Sequence, residues 1–237
     1  MKNIAIIPAR CGSKGLVNKN IKDLCGKPML AYAIDAAKNS GCFEEVMVST
    51  DSEEYATIAR KYGAKVPFLR SEQNANDVAS TWDMVLEVIQ KYRQYGKEFD
   101  TFCLLQPTSP LRDEEDIRGA YQVYWDNAGE SVVSVCECEH SPLWTGTLND
   151  KLEMYGFLNG NSSKQRQQQE KFFRLNGAIY IMDINVFCKE QNLYGPKSYA
   201  YVMDKRKSVD IDDIYDFEYA EFLMGKRKDK YEYAISD

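Results

Sequence analysis

The sequence predicts an α/β fold, a mostly parallel sheet with helices on both faces. Short β-rich runs alternate with segments whose apolar residues recur at three- and four-residue spacings, the helix signature. Strand–helix alternation of this kind implies crossover connections, which parallel strands require. With 237 residues, 44% of them apolar, the chain can bury one sizeable core.

The strand runs are IAII from Ile4, VMVST from Val46, TFCLLQ from Thr101, SVVSVC from Ser131, AIYIM from Ala178 and a weaker YAYVM from Tyr199. Between the first four lie the helical segments MLAYAIDAAKNS, EEYATIARKYG, STWDMVLEVIQKYRQYG and DEEDIRGAYQVYWDN. Gly41, Gly63 and Gly96 follow three of them in C-cap positions. In open α/β sheets ligands gather beyond the carboxyl ends of the strands. The loop after the first strand, Ser49-Thr50-Asp51 and Gln106-Pro107-Thr108-Ser109 are therefore expected on one rim. The rhythm breaks over residues 140–171, which carry the polar tract SSKQRQQQEK. Long unstructured loops are uncommon inside compact domains, so this segment reads as an excursion that packs on a second copy of the chain. No internal repeat is present, and residues 1–237 read as a single domain with 140–171 inserted as a dimerisation segment.

Composition excludes several functions. A net charge of −6 argues against a general nucleic-acid or membrane binder. No apolar run approaches the roughly 18 residues of a membrane span, and the start lacks a signal-peptide core. Seven scattered cysteines, an odd number, suit reduced thiols and a cytoplasmic location. The single histidine, His140, leaves no basis for a Ser-His-Asp or Cys-His hydrolase. Cys136, Cys138 and His140 would share one face of a strand, but they lack the spaced ligand pairs of a zinc site. A buried cysteine-rich strand is the default reading.

Against the acidic background, NIAIIPARCGSKGLVNKN concentrates Arg10, Lys14 and Lys19 where the first strand ends. The spacing fits neither a Walker A loop nor a dinucleotide fingerprint. Glycines such as Gly12 still let backbone N–H groups turn toward phosphate oxygens, with Ser13 beside it. Arg10 adds a bidentate fork and the lysines add point charges, which suits a polyphosphate. SVDIDD, residues 208–213, supplies the opposite sign. With Val209 and Ile211 turned into the core, Asp210 and Asp212 project together, a pair suited to Mg²⁺. Asp213 is placed to cap the helix IYDFEYAEFLMG.

IIPARCGSKGLVNKN, VSTDSEE, LLQPTSPLR, RLNGAIYI and SVDIDD, in that order, resemble the acylneuraminate cytidylyltransferases over about residues 3–223. The related Kdo enzymes are less similar, because RLNGAIYI and the glutamine-rich loop belong to the sialate branch. The resemblance implies a Rossmann-like nucleotidyltransferase fold that dimerises through its excursion. It also implies attack by the anomeric hydroxyl of a nine-carbon α-keto acid sugar on the α-phosphate of CTP. By the same resemblance Arg10, Lys14 and Lys19 hold the triphosphate, and Asn20, Arg70 and Thr81 line the nucleoside pocket. Gln106, Arg174 and Tyr180 face the sugar, while Arg166 reaches the neighbouring subunit's site. Asp210 and Asp212 hold Mg²⁺, and Asp212, or water on a metal held there, is the candidate base. One departure stands out: HSPLWTG places Trp144 where many sialate members have a basic residue. An apolar wall there favours a legionaminic or other deoxy acetamido acid over N-acetylneuraminate. Pseudaminic acid and Kdo are alternative acceptors. A non-catalytic nucleotide-binding homologue is the reading from a different class.

Overall fold

The computed structural model describes residues 1–12, 15–75, 79–158 and 170–234, with side chains as far as Lys226. In chain order the elements are β1 (Asn3–Pro8), β2 (Asp23–Leu24), β3 (Lys27–Pro28), α1 (Met29–Ser40), β4 (Glu45–Ser49) and α2 (Glu53–Lys61). Then come α3 (Glu72–Ala75), α4 (Thr81–Gln94), β5 (Thr101–Leu104), α5 (Glu114–Asp126) and β6 (Ser131–Glu137). The last are β7 (Phe173–Asp183), α6 (Ile184–Glu190), β8 (Ser198–Val202) and α7 (Ile214–Ala234). Strands β2 and β3 form a small antiparallel hairpin, and the other six form one sheet in the order β4-β1-β5-β7-β6-β8.

Strand β1 shows why the sheet is covered twice. Successive side chains point to opposite faces. Ile4 and Ile6 enter the cluster with Val85 and Ile89 of α4 and Phe187 of α6. Ala5 and Ile7 enter the other, with Leu30 of α1, Tyr55 of α2 and Tyr121 of α5. All four are buried, and each isoleucine contributes roughly 2 kcal/mol by leaving water. A third cluster packs Phe217 and Ala220 of α7 on Leu24, Leu111, Val209 and Ile211.

Strands β1, β4, β5, β6 and β8 run parallel, and β7 alone runs against its neighbours β5 and β6. Its length departs from the expected AIYIM: the strand starts five residues before Ala178. The ladder to β5 ends at Leu104 opposite Tyr180. Because β7 is antiparallel, its first half therefore runs on past the carboxyl end of β5. A register shift in β6 between Val133 and Val135 lets pairing with β7 resume at Leu175. Buried Asn176 fixes that irregularity. Its Oδ1 accepts from Ser134 Oγ at 2.6 Å and from Ala178 N at 3.2 Å, and its Nδ2 donates to Ser208 Oγ at 2.9 Å.

The chain leaves β1 for β4 on one side and later returns to β5 on the other. Strand order reverses at β1, so the crevice between the β1 and β5 loops is the topological switch point. Cys136 is buried in β6, Cys138 is half-buried past its end and His140 is exposed. All seven cysteines are free thiols. The part of the excursion before residue 159 holds a short 3₁₀ turn, Pro142–Trp144, and exposes Leu148, Met154 and Tyr155. Among the described residues no helix is long and apolar enough to cross a membrane.

Candidate active site

The loop after β1 is held from both sides. Cys11 donates its N–H to Asp51 Oδ1 at 2.9 Å and its thiol to Asp51 Oδ2 at 3.0 Å. The hydrogen bond to Asp51, then burial, pushes that thiol up, so it stays protonated. Buried Asn20 donates from Nδ2 to the Arg10 carbonyl at 3.0 Å, closing the loop on itself. Gly12 has φ +77°, a left-handed conformation that side chains disfavour. Ser13, Lys14 and, in the excursion, Arg166 lie outside the described residues.

Residues 208–213 form no strand, yet the expected alternation is present. Val209 and Ile211 are buried, Asp210 is half-buried and Asp212 is exposed. Four contacts hold this acid arm. Ser208 is tied to Asn176 of β7, and Lys207 Nζ sits 2.5 Å from Asp113 and 3.0 Å from Asp116 at the start of α5. Ile211 N donates to the Thr108 carbonyl at 2.8 Å, so the arm lies alongside the β5 loop. At its end Asp213 Oδ1 accepts from the N–H groups of Tyr215 and Asp216, while Asp216 Oδ2 accepts from those of Asp212 and Asp213. Asp213 is thus the cap the sequence predicts, in a reciprocal arrangement.

The cationic loop and the acid arm meet. Lys19 Nζ donates to the Ile211 carbonyl at 2.7 Å and to Asp212 Oδ1 at 3.1 Å. A Cβ on Gly15 would lie 2.6 Å from the Asp212 carbonyl oxygen. Arg10, Lys19, Asn20, Gln106, Thr108 and Asp212 line one cavity of about 380 Å³ at the switch point. On the other side of Ile211, Asp210 lines a second cavity of about 520 Å³ with Glu139, Arg174, Lys205 and Tyr219. Arg174 there faces Glu139 at 3.4 Å.

Asp210 lines the second cavity and is hydrogen-bonded to Thr108, which lines the first. Burial raises its carboxyl pKa, and the charge on Asp212 raises it further, against a hydrogen bond to Thr108. Gly177, at φ +73°, leaves room for it: a Cβ there would stand 3.1 Å from Gln106 Oε1 and 3.2 Å from Asp210 Oδ2. Gly177 and Asn176 are residues that sequence reasoning gave no individual role, and Thr108 was placed only on the ligand rim. RLNGAIYI holds the one readable signal, a glycine just ahead of a β-rich run.

Besides Gly12, three predicted residues line neither cavity. Arg70 is half-buried, with its guanidinium donating to Ser49 Oγ at 3.1 Å and to the Ser49 carbonyl at 2.7 Å. Burial pushes its pKa down to about 10. Thr81 is exposed as the first residue of α4. Tyr180 is half-buried, edge-on to Trp82 at 5.7 Å, and burial raises its phenol. Trp144 lines neither cavity, so within one chain it walls off no sugar site.

Next to Arg70, Glu87 ties down the turn that starts α3. It accepts from Ser71 N, Ser71 Oγ, Asn74 Nδ2 and Lys91 Nζ. Burial alone would raise this carboxyl, but those bonds outweigh it and hold the group at about 2. A lowered acid pKa gives stability that is complete above the unfolded value near 4.3 and is lost as pH falls through the folded one. Glu87→Gln should lower stability at pH 7 by about 1–2 kcal/mol once solvent screening is allowed for. It should also flatten the acid limb between about pH 4 and pH 2, read by thermal melts across that range.

A model of the cytidylyltransferase family matches residues 4–235. The pseudaminic acid cytidylyltransferase of Campylobacter jejuni is 34% identical over 223 residues, covering 94% of this chain and 96% of its own. The CMP-N,N'-diacetyllegionaminic acid synthase of Legionella pneumophila is 37% identical, covering 94% and 97%. The N-acylneuraminate cytidylyltransferase of Escherichia coli is 41% identical over 95% of this chain, which spans only 53% of that relative. Among solved structures, CMP:2-keto-3-deoxy-manno-octonic acid synthetase complexed with CTP superposes with a TM-score of 0.71 at 20% identity, covering 96% of this chain and all of its own. The 4-diphosphocytidyl-2C-methyl-D-erythritol synthase of Anaerococcus prevotii gives 0.67 at 11%, covering 94% and 98%. Those two likenesses identify the architecture as the nucleotidyltransferase fold. With two relatives above 30% identity matched almost end to end, the chain belongs to the cytidylyltransferase family of the acylneuraminate, pseudaminic acid and legionaminic acid enzymes.

Proposed function

We propose that the protein is a CMP-nonulosonate synthetase, joining CTP to a nine-carbon α-keto acid sugar with release of pyrophosphate. The observation that carries this reading is the contact of Lys19 with the acid arm. It brings the cationic loop and Asp212 to one crevice at the switch point of the sheet, with Asp210 of the same arm lining the second cavity. A triphosphate needs the first pole, and its counter-ion needs the second.

In the reaction the anomeric oxygen forms a bond to the α-phosphorus, and the bond from that phosphorus to the bridging oxygen breaks. The hydroxyl proton passes to Asp212, the more open carboxylate, or to solvent. Arg10 and Lys19 stabilise charge as it gathers on the phosphate oxygens. The second cavity, with Arg174 and Lys205, offers cations to the sugar carboxylate beside Asp210. Holding acceptor and phosphorus in line supplies much of the remaining acceleration.

The donor set suits Mg²⁺. Asp210 and Asp212 are two carboxylates on one short arm, hard oxygen donors of the kind Mg²⁺ takes. Such a site leaves positions for water and phosphate, as magnesium requires. When bound, the ion would neutralise charge on the departing pyrophosphate.

We further place the enzyme in the cytoplasm, which keeps seven unpaired thiols reduced, and read it as a homodimer built on residues 140–171. Exposed Leu148, Met154 and Tyr155 support the dimer, since monomers seldom leave such a patch to water. Pyrophosphate release, assayed with four nucleoside triphosphates and a panel of acids, tests the function. The expected result is turnover with CTP alone and with nonulosonic acids above Kdo, a legionaminic acid ranking ahead of N-acetylneuraminate. Absence of release with every acid and every nucleotide would instead identify a non-catalytic homologue.

A further inference from the structure

Arg112, in LLQPTSPLR, is 2% exposed, yet no carboxylate pairs with it at salt-bridge distance among the described residues. Two of the acids that follow it in the chain, Asp113 and Asp116, are taken by Lys207 Nζ at 2.5 and 3.0 Å. One guanidinium nitrogen, Nη1, donates to two backbone carbonyls, Gln106 at 3.2 Å and Ala178 at 3.1 Å. Nε and Nη2 are buried with no protein partner among the described residues. A charge buried without a counter-ion is costly, and only well-placed hydrogen bonds offset it. Packing alone gives no account of such a residue here, because a methionine would fill similar space without that cost.

Its two partners explain its position. Gln106 opens the β5 loop that lines the switch-point cavity. Ala178 lies where β7 has run past its ladder with β5, which ends at Leu104 opposite Tyr180, and beside the register shift of β6. Across that gap no backbone hydrogen bond ties the β5 loop to β7 among the described residues. Gly177, the neighbour of Ala178, is the spot where the Gln106 and Asp210 side chains converge.

We propose that Arg112 is a positioning residue for the acceptor: Nη1 clamps the Gln106 carbonyl to the Ala178 carbonyl and so holds the Gln106 side chain over Gly177, while Asp210 stays with the acid arm, which Ser208 and Ile211 fix separately. The contacts of the nucleotide loop do not pass through it, since Cys11, Asn20 and Lys19 are fixed by Asp51, Arg10 and the acid arm. Loosening the clamp therefore weakens acceptor binding and leaves CTP binding in place. This inference rests on the cytidylyl-transfer reading.

The test uses the full chain and the acid that the parent enzyme turns over, with KM measured separately for acid and CTP. Arg112→Met should raise the acceptor KM at least about tenfold and leave the CTP KM within about twofold. Arg112→Lys, whose shorter ammonium still carries charge and donors, should fall between it and the parent. A merely structural role would instead lower melting temperature and kcat together with both KM values unchanged, and that result overturns the proposal. A CTP KM rising as much as that of the acid does the same. If Arg112→Met fails to fold, Arg112→Lys decides alone: a selective rise in acceptor KM supports the clamp, and two unchanged KM values refute it. A parent enzyme inactive with every acid would refute the cytidylyl-transfer reading itself, a failure distinct from any of these.

Discussion

Asp210→Asn is expected to lower kcat at least about a hundredfold while the protein melts within a few degrees of its parent, the scale seen when one preorganised electrostatic group is removed. The amide matches the carboxylate in shape. It fits the space that Gly177 leaves, 3.2 Å from Asp210 Oδ2, and can keep a hydrogen bond to Thr108. What it removes is one of the two carboxylates assigned to the metal, Asp210 and Asp212. The stability side has a definite sign. Burial raises the Asp210 carboxyl above its unfolded value, so its ionised form is disfavoured in the folded protein at neutral pH. A neutral amide lifts that penalty, so no fall in melting temperature should accompany the lost turnover. Pyrophosphate release measured over a magnesium titration checks both parts. Normal turnover at ordinary Mg²⁺ would remove Asp210 from the metal site, and a large drop in melting temperature would make its role structural.

How far this was legible in the sequence depends on what kind of force sets each feature. The alternation of Val209, Asp210, Ile211 and Asp212 could be read because burial of every second residue needs no partner strand to show itself. The cap at Asp213 was readable for a similar reason, since its bonds are local. The first half of β7 was not. Arg174, Asn176 and Gly177 interrupt its apolar pattern, and the strand continues only because β6 shifts register and Asn176 spends its amide on β6 and the acid arm. Arg112 was opaque too, because an arginine ahead of DEED reads as a solvated charge at a helix start. Its burial follows from where β7 ends its ladder with β5, which is decided by residues some seventy positions away. Arg70, Thr81 and Tyr180 entered through family resemblance, and the single chain gathers none of them into either cavity.

Gly15→Ala should cost about a hundredfold in kcat/KM with almost no loss of stability, because a displacement near 1 Å at a reacting constellation is worth that much. The added methyl carbon would stand 2.6 Å from the Asp212 carbonyl oxygen, closer than real contacts allow. That atom is backbone on an arm fixed by Ser208, Ile211 and the Asp213–Asp216 cap, so the arm cannot step aside cheaply. The exposed loop must move instead, and Lys19, four residues on, then loses its hold on the Ile211 carbonyl and Asp212. Gly15 belongs to none of the three apolar clusters, although Leu16 beside it packs on the third, so the fall in melting temperature should be small. The same methyl group placed at Gly12, where among the described residues no atom beyond its chain neighbours lies within 4 Å, serves as the control. Gly12→Ala strains a left-handed turn but drives no clash with the arm, so it should cost roughly 1 kcal/mol of backbone preference and much less activity. Should the two alanine variants lose activity equally, the spacing between the cationic loop and the acid arm is not what the catalytic geometry depends on.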